Sequence, residues 1–222
     1  MLKSRLAHIQ REPQDLSAVF LTHEHSDHIS GAGAQTKKHR TPVYGTRGTR
    51  EAMHRHVPPE VDWRTVDRED EAAVGGLRIE SFATPHDAAE SVAYIVRSGA
   101  KKLGHITDLG CLTPRVIEKL KDCDVLLVEA NHDERMLENG PYPWPIKERI
   151  RSDVGHLSNV ACAELLSRVK HDGLKMVVLM HLSESNNHPE IAVDAARTAL
   201  GDHPATLFPA RQKHPTVLIP VE

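Results

Sequence analysis

The feature that most constrains this chain is the stretch Thr22-His23-Glu24-His25-Ser26-Asp27-His28, which follows a short apolar run. Three histidines and an aspartate fall within six residues, an arrangement suited to holding metal ions. Ser17 to Leu21 reads as a buried strand bounded by polar residues. In an extended segment the side chains alternate, so His23 and His25 point to the same side. Asp27 and His28 lie where the chain turns into a helix expected over His28 to Lys38, and they reach a neighbouring point. The motif can therefore feed two ions rather than one, and imidazoles with a carboxylate suit zinc or a similar divalent ion. The competing reading is a histidine-rich surface loop, since the chain holds 16 histidines. The spacing and the position after a strand favour ligation.

A chain of 222 residues fits one domain, 1–222, with a sizeable core. Its 39% hydrophobic and 27% charged residues describe a globular protein rather than a disordered one. Aromatic residues make up only 4%, so base stacking on an aromatic platform is not an expected mode of binding. The net charge of −3 and the lack of a long basic run mean that bulk electrostatics do not demand nucleic acid. Bound metal ions would nevertheless add local positive charge. Cys111, Cys123 and Cys162 are odd in number and lack C-x-x-C spacing, and they read as buried or half-buried thiols in a reducing compartment. Met1-Leu2-Lys3-Ser4-Arg5-Leu6 lacks the apolar core of a signal peptide, and no stretch approaches a membrane span, so a cytoplasmic location with no membrane partner is expected.

Taken in order, Met1 to Glu12 forms a short amphipathic helix stopped by Pro13, and Pro42 to Gly45 a small strand. Gly48 to Val57 is a helix on which His54 and His56, two residues apart, share no face and are solvated. Val61 to Val66 and Leu77 to Ala83 are strands; Ser91 to Arg97 and Lys102 to Thr107 form a hairpin around Gly99-Ala100. Thr113 caps a helix to Leu120, with Pro114 at its first position. Asp124 to Val128 is an apolar strand, Pro145 to Ser152 and Leu157 to Val169 are helices, and Leu174 to Met180 is a buried strand. Ile191 to Leu200 is a helix and Thr216 to Val221 a last strand. Periodicity alone gives a mixed α/β protein.

The motif H-x-H-x-D-H resembles that of the metallo-β-lactamase fold hydrolases, and the resemblance implies a four-layer αββα sandwich. Thr84-Pro85-His86, Thr107-Asp108 and His181 stand at strand ends and match that family's remaining metal motifs in order. A lone histidine at a strand end is more often structural, so the weight lies on the joint match. The resemblance implies two divalent metal ions, zinc first, with manganese or iron also suited. His23, His25 and His86 would hold one, Asp27, His28 and His181 the other, and Asp108 would bridge them. Two such ions share a water, lower its pKa and orient it for in-line attack. Asp27 also sits where it can hold that water.

Two further stretches narrow the substrate. In the ribonuclease Z branch of this fold, a glutamate after a strand pairs with a histidine in a Gly-His-Ser/Thr turn, and that histidine acts as general acid to the leaving oxygen. Glu129 and His156 match those positions. The alternative is that His156 caps its helix and Glu129 forms a structural ion pair. Overall the chain is similar to the YycJ (WalJ) branch. The similarity rests on His86-Asp87, Glu-Ala-Asn-His-Asp at 129–133, Gly-Pro-Tyr-Pro-Trp-Pro at 140–145 and Arg-Ile-Arg-Ser at 149–152. Gly-His-Leu-Ser-Asn at 155–159 and His-Leu-Ser-Glu-Ser-Asn-Asn at 181–187 complete it. That branch implies a metal-dependent nuclease or phosphodiesterase, with 5′-to-3′ DNA exonuclease activity, and hence a nucleic acid partner. Arg149, Arg151 and Ser158 are then candidates for phosphate contacts, and Ser183, Ser185, Asn186 and Asn187 for hydrogen bonds to substrate. His132 has three open roles: ligand, substrate contact or support for Glu129.

Family members begin with two strands and an Asp-x-Gly turn that this sequence lacks, so an N-terminally truncated sandwich, or a start assigned too late, is expected. The rival functions are hydrolysis of a β-lactam, lactone, thioester or cyclic phosphodiester, and a non-catalytic regulatory protein with a structural metal site. The sequence does not separate DNA from RNA, exonuclease from endonuclease, or one oligomeric state from another.

Overall fold

In the computed structural model, which describes residues 2–53, 61–212, 214–216 and 218–220, two sheets meet where the histidine cluster leaves its strand. The chain opens with α1 (Leu2–Ala7) and a 3₁₀ turn at Pro13–Asp15. β1 (Val19–Phe20) pairs in parallel with β2 (Val43–Gly45), and β2 with β3 (Trp63–Thr65), giving the smaller sheet. Between β1 and β2 the sequence predicts one helix, His28 to Lys38. The structure has two, α2 (Ser26–Ile29) and α3 (Ala32–His39), broken at Ser30-Gly31, where glycine gives the helix its weakest propensity. The early start of α2 puts Asp27 and His28 in its first turn. α4 (Arg47–Ala52) follows β2; the rest of the helix predicted there, with His54 and His56, lies outside the described residues.

The larger sheet has seven strands in the order β10-β9-β8-β7-β6-β5-β4 among the described residues. β4 (Glu71–Val74), β5 (Leu77–Ala83), β6 (Val92–Ser98) and β7 (Lys101–Ile106) form an antiparallel meander. β4 escapes the pattern reading because Glu71-Ala72-Ala73-Val74 is weakly apolar; the turn Gly75-Gly76, with φ of 56° and 84°, makes the hairpin. After α5 (Pro114–Leu120), capped as predicted by Thr113 accepting from the Val116 N–H, the sheet turns parallel with β8 (Val125–Glu129). α6 (Glu134–Asn139), α7 (Trp144–Arg151) and α8 (Asn159–Val169) lead to β9 (Met176–Met180), and α9 (Pro189–Leu200) leads to β10 (Thr206–Pro209). The sequence predicts the last strand at Thr216 to Val221 instead, and no described residue there is in a strand. The short connection after α9 brings Thr206 beside Met176 first, and Pro209 is tolerated because β10 is an edge.

The main core lies between the parallel half of the large sheet and its crossover helices. Leu126, Val128, Val177 and Leu179 face Val116, Leu120, Cys162, Leu165 and Leu166, all buried. A second cluster, Leu21, Ile29, Ala32, Val43 and Met53, lies under the smaller sheet. Phe20 of β1, stacked on Tyr44 of β2 and edge-on to Tyr94 of β6, links the two sheets through a third small cluster with Ile79 and Val92. The Tyr94 hydroxyl donates to the Leu21 carbonyl (2.6 Å), and the Val92 N–H to the Thr22 carbonyl (3.0 Å), so the exit of β1 is tied to β6. Among the described residues no helix is long and apolar enough to cross a membrane.

This packing sets a direct expectation. Leu165, fully buried on α8, should cost about 2–5 kcal/mol when replaced by alanine. Val160→Ala, on the exposed face of the same helix, should stay within about 0.5 kcal/mol. Urea denaturation of the two variants checks this, and equal midpoints would refute the assigned helix face.

Candidate metal centre

Every candidate ligand sits at the C-terminal end of a strand or just beyond it, on one edge of the molecule. His23 to His28 follow β1, His86 follows β5, Asp108 follows β7, Glu129 ends β8 and His181 follows β9. β5, β7, β8 and β9 all run in the same direction, so their ends converge. Asp108 and His181 leave their strands with φ of 56° and 57°, a left-handed conformation that few residues with a Cβ adopt. That turn aims both side chains back over the strand ends.

The ligand atoms of His23, His25 and His86 lie within 4.8 Å of one another, and so do those of Asp27, His28 and His181. Asp108 stands between the two sets, with Oδ2 3.2 Å from His28 Nε2 and Oδ1 3.7 Å from His86 Nε2. His86 donates Nδ1–H to the Gly155 carbonyl (3.1 Å), so its Nε2 carries a lone pair, 3.2 Å from His25 Nδ1. His23 Nε2 is buried and has no hydrogen-bond partner. An orphaned buried nitrogen among converging imidazoles and carboxylates fits a divalent cation, which would satisfy them together. Thr22, which the sequence reading passed over, places its hydroxyl 3.1 Å from His23 Nδ1 and 3.3 Å from His28 Nδ1. It holds the outer edges of two rings whose Nε2 atoms face inward.

Burial pushes His23 down to about 2, aided by the neighbouring imidazoles, and burial also lowers His28 and His86. Each therefore favours the neutral form that a cation needs. His181 goes the other way. Burial pushes it down, but the nearby Asp27 carboxylate (3.8 Å) and the hydrogen bond to Glu129 outweigh this and raise it to about 11, so positive charge is favoured at that point. His181 in turn holds the Asp27 carboxyl well below the usual carboxylate range.

Glu129 is fully buried and takes four donors. Its Oε1 accepts from His156 Nδ1 (2.9 Å) and His181 Nδ1 (2.8 Å), and its Oε2 from the N–H groups of Leu109 (2.8 Å) and Leu157 (3.1 Å). Burial pushes its carboxyl up, but the histidine hydrogen bonds win and hold it below the usual range. The sequence suggests only the partnership with His156; the hold on His181 carries no sequence signal. His156 is brought within 3.6 Å of Asp108 Oδ1. The turn that presents it requires Gly155, where an added Cβ would lie 2.2 Å from the carbonyl oxygens of Arg149 and Ile150.

The remaining candidates divide. Arg149 grips Asp87 with two nitrogens (2.5 and 3.0 Å) and lines a cleft of about 410 Å³ with His156, His181, Ser183 and Ser185. Arg151 lines a second cavity of about 460 Å³ with His132, His156 and Ser158. The Ser158 hydroxyl caps α8, accepting from the Ala161 N–H (3.2 Å), and donates to Glu134 (3.1 Å). Asn186 is fully buried with neither amide atom partnered, and its Oδ1 would lie 2.2 Å from a Cβ at Gly140, so it does not reach the cleft. Asn187 is also buried. Its amide donates to the Ala130 and Asn131 carbonyls (2.8 and 3.0 Å) and pairs with Asn159, locking together the loops that carry Glu129, His156 and His181. His132 is 2% exposed, belongs to no ligand group among the described residues, and is pushed down to about 4 by burial.

Glu129→Gln removes one acceptor oxygen and turns an NH₂ towards N–H donors. It should weaken metal affinity by about 10- to 100-fold while the fold persists. Competition with a chromophoric chelator, beside circular dichroism, measures this; unchanged affinity would show that Glu129 does not orient His181.

Comparison with known proteins is consistent with this site. The model of the Beta-lactamase superfamily domain matches residues 2–182. The chain is 39% identical over 181 residues to the exodeoxyribonuclease YycJ of Bacillus anthracis, covering 80% of this chain and 68% of that protein. It is 37% identical over 195 residues to the exodeoxyribonuclease WalJ of Streptococcus pneumoniae serotype 2 (strain D39 / NCTC 7466), covering 86% and 72%. Among solved structures, the metallo-β-lactamase fold protein YhfI of Bacillus subtilis superposes with a TM-score of 0.70 at 16% identity, covering 92% of this chain and 79% of the other.

Proposed function

The chain belongs to the Beta-lactamase superfamily, and from that premise we propose that this metal-dependent hydrolase is a nuclease that cleaves phosphodiester bonds of DNA. We infer further that it acts as a 5′-to-3′ exonuclease with two divalent ions, zinc before manganese or iron. The observation that carries the reading is His156, held by Glu129 beside the two ligand groups and 3.6 Å from Asp108. Two relatives at 39% and 37% identity, both named exodeoxyribonucleases, support DNA as the substrate.

His23, His25 and His86 would hold one ion, Asp27, His28 and His181 the other, and Asp108 would bridge them. Ions there supply positive charge for the phosphate oxygens and acidify a water. The chain's own groups do the rest. Asp27, ionised and with 66% of its side chain exposed, accepts a hydrogen bond from the attacking water and orients it. As the water oxygen bonds to phosphorus, its proton leaves by way of the solvent-exposed Asp27 carboxylate and the bond to the leaving oxygen breaks. His156, whose Nδ1–H is committed to Glu129, delivers the proton to that oxygen from Nε2. Glu129 fixes the direction of the imidazole. Arg149 and Arg151, on either side of His156, are placed for neighbouring phosphates.

The test is hydrolysis of single-stranded DNA labelled at the 5′ or the 3′ end, with Zn²⁺ or Mn²⁺. The expected result is metal-dependent release of labelled mononucleotide from the 5′ end, abolished in Asp108→Ala. His156→Ala should lower the rate by about 10²-fold or more with metal content unchanged. No cleavage by metal-loaded protein would falsify the nuclease reading and favour a small-molecule substrate.

A further inference from the structure

The stretch after β8, 129–133, lies between the two segments that carry His156 and His181. On one side it forms a short ladder with 157–159. The Asn131 N–H donates to the Leu157 carbonyl (2.9 Å), the Asn159 N–H donates to the His132 carbonyl (2.8 Å), and His132 pairs with Ser158 in a parallel bridge. On the other side the Asn131 amide donates to the His181 carbonyl (2.9 Å), and the Ser183 N–H to the Asn131 carbonyl (2.8 Å). His181 is thus anchored by Asn131 and Glu129. The 155–159 turn is tied directly to the 181–188 segment by Asn159 and Asn187, which face each other as a head-to-tail amide pair. Asn159 Nδ2 donates to Asn187 Oδ1 (2.8 Å) and Asn187 Nδ2 to Asn159 Oδ1 (3.0 Å), with the residues only 3% and 6% exposed. A buried pair joined at both ends holds direction as well as distance, because a shift of either residue strands a donor and an acceptor together. The hydrogen bonds of these two amides reach no candidate metal ligand, yet His156 lies three residues before Asn159.

We propose that the Asn159–Asn187 pair is a positioning device for proton delivery, which fixes the offset of His156 from the metal centre. This rests on the nuclease reading above, with His156 as its general acid, and adds the residues that make that acid effective. The His156 and His181 ring centroids are 5.3 Å apart, and Glu129 holds both rings at Nδ1. A ring held at one atom can still swing about it, so its reach depends on the backbone that carries it. The pair fixes that backbone against the loop of His181. As the phosphorus–oxygen bond breaks, its electron pair takes the proton from His156 Nε2, and this transfer must keep step with the cleavage. A misplacement of about 1 Å in such a geometry costs about 10²-fold. His181 keeps its own anchors when the pair is broken. Loosening the pair therefore costs protonation of the leaving oxygen before it costs metal.

The experiment compares single-turnover cleavage of two DNA substrates, duplex or single-stranded, whichever wild type cleaves faster. One is ordinary DNA; in the other, sulfur replaces the leaving oxygen of the scissile bond, and a thiolate departs without needing a proton. The proteins are wild type, Asn159→Ala and His156→Ala, each loaded with Mn²⁺. Asn159→Ala is the milder way to break the pair, since Asn187 keeps the Ala130 and Asn131 carbonyls and the His188 N–H as partners. It should cleave ordinary DNA about 10-fold more slowly than wild type and the sulfur substrate at a rate within about 2-fold. Metal content, measured by chelator competition, should not change. His156→Ala should show the same contrast more strongly. Asn159→Asp keeps an oxygen for the Asn187 amide and loses the donor; it should show the same contrast, and it decides the matter where the alanine variant does not fold. Equal slowing on both substrates, or no slowing on either, would overturn the proposal and leave the nuclease reading intact. Equal slowing of His156→Ala on both would refute the general acid and this inference with it. Failure of wild type to cleave any DNA would refute the nuclease reading itself.

Discussion

The site depends on one buried carboxylate. Glu129 has no exposed surface, and its burial is tolerable only because all four of its acceptor positions are filled. The donors come from three functional segments that Glu129 ties to its own: Leu109 follows Asp108, Leu157 follows His156, which is itself a donor, and His181 follows β9. Removing any one donor leaves a lone pair buried without a partner, so the four segments hold one another in place. The same bonds fix tautomers. With Nδ1–H given to Glu129, both histidines present Nε2 to the cleft, one beside the ligand groups and one where a leaving oxygen would lie.

The fold serves this by aligning strand ends. The antiparallel meander and the parallel half share a direction for β5, β7, β8 and β9, so loops that follow them meet on one edge although they are far apart in sequence. The positive φ at Asp108 and His181 is the cost of turning two of those loops sharply. It is sustained by the hydrogen bonds behind them. The Asn131 amide donates to the His181 carbonyl (2.9 Å), and the Asn187–Asn159 pair ties the same loops below the cleft. Strain and restraint thus sit on opposite sides of the same residues.

Much of this was legible in the sequence where chemistry and local pattern coincide. His23 to His28 form one contiguous run, and His86, Asp108 and His181 each end an apolar segment, so strand periodicity alone puts them at sheet edges. Thr113-Pro114 marks its helix for the same local reason. What escaped depends on which loops meet. Nothing near Thr22 says that its hydroxyl will touch two imidazoles, and nothing near Asn159 says that Asn187 will face it. Asn186 and Asn187 look alike as polar loop residues after a ligand, yet both are buried, one paired and one not. The last strand failed on a comparable point: 206–209 and 216–221 are similarly apolar, and pairing with β9, not composition, selects the first.

On the proposed nuclease reading, a protein with a net charge of −3 must handle a polyanion. Asp27, Asp87, Asp108 and Glu129 all surround the point where a phosphate would lie on that reading, with Arg149 partly neutralised by its pair with Asp87 and the His23, His28 and His86 rings biased to neutrality. On its own chain the centre is a poor host for a phosphodiester. Two divalent ions held by these ligands would reverse the local sign, because they bring four positive charges against the same carboxylates. Bulk charge is therefore uninformative here. Substrate affinity and chemistry would be set by the same few groups, and anything that loosens the ligands, including a change at Glu129 that never touches the substrate, would act on both.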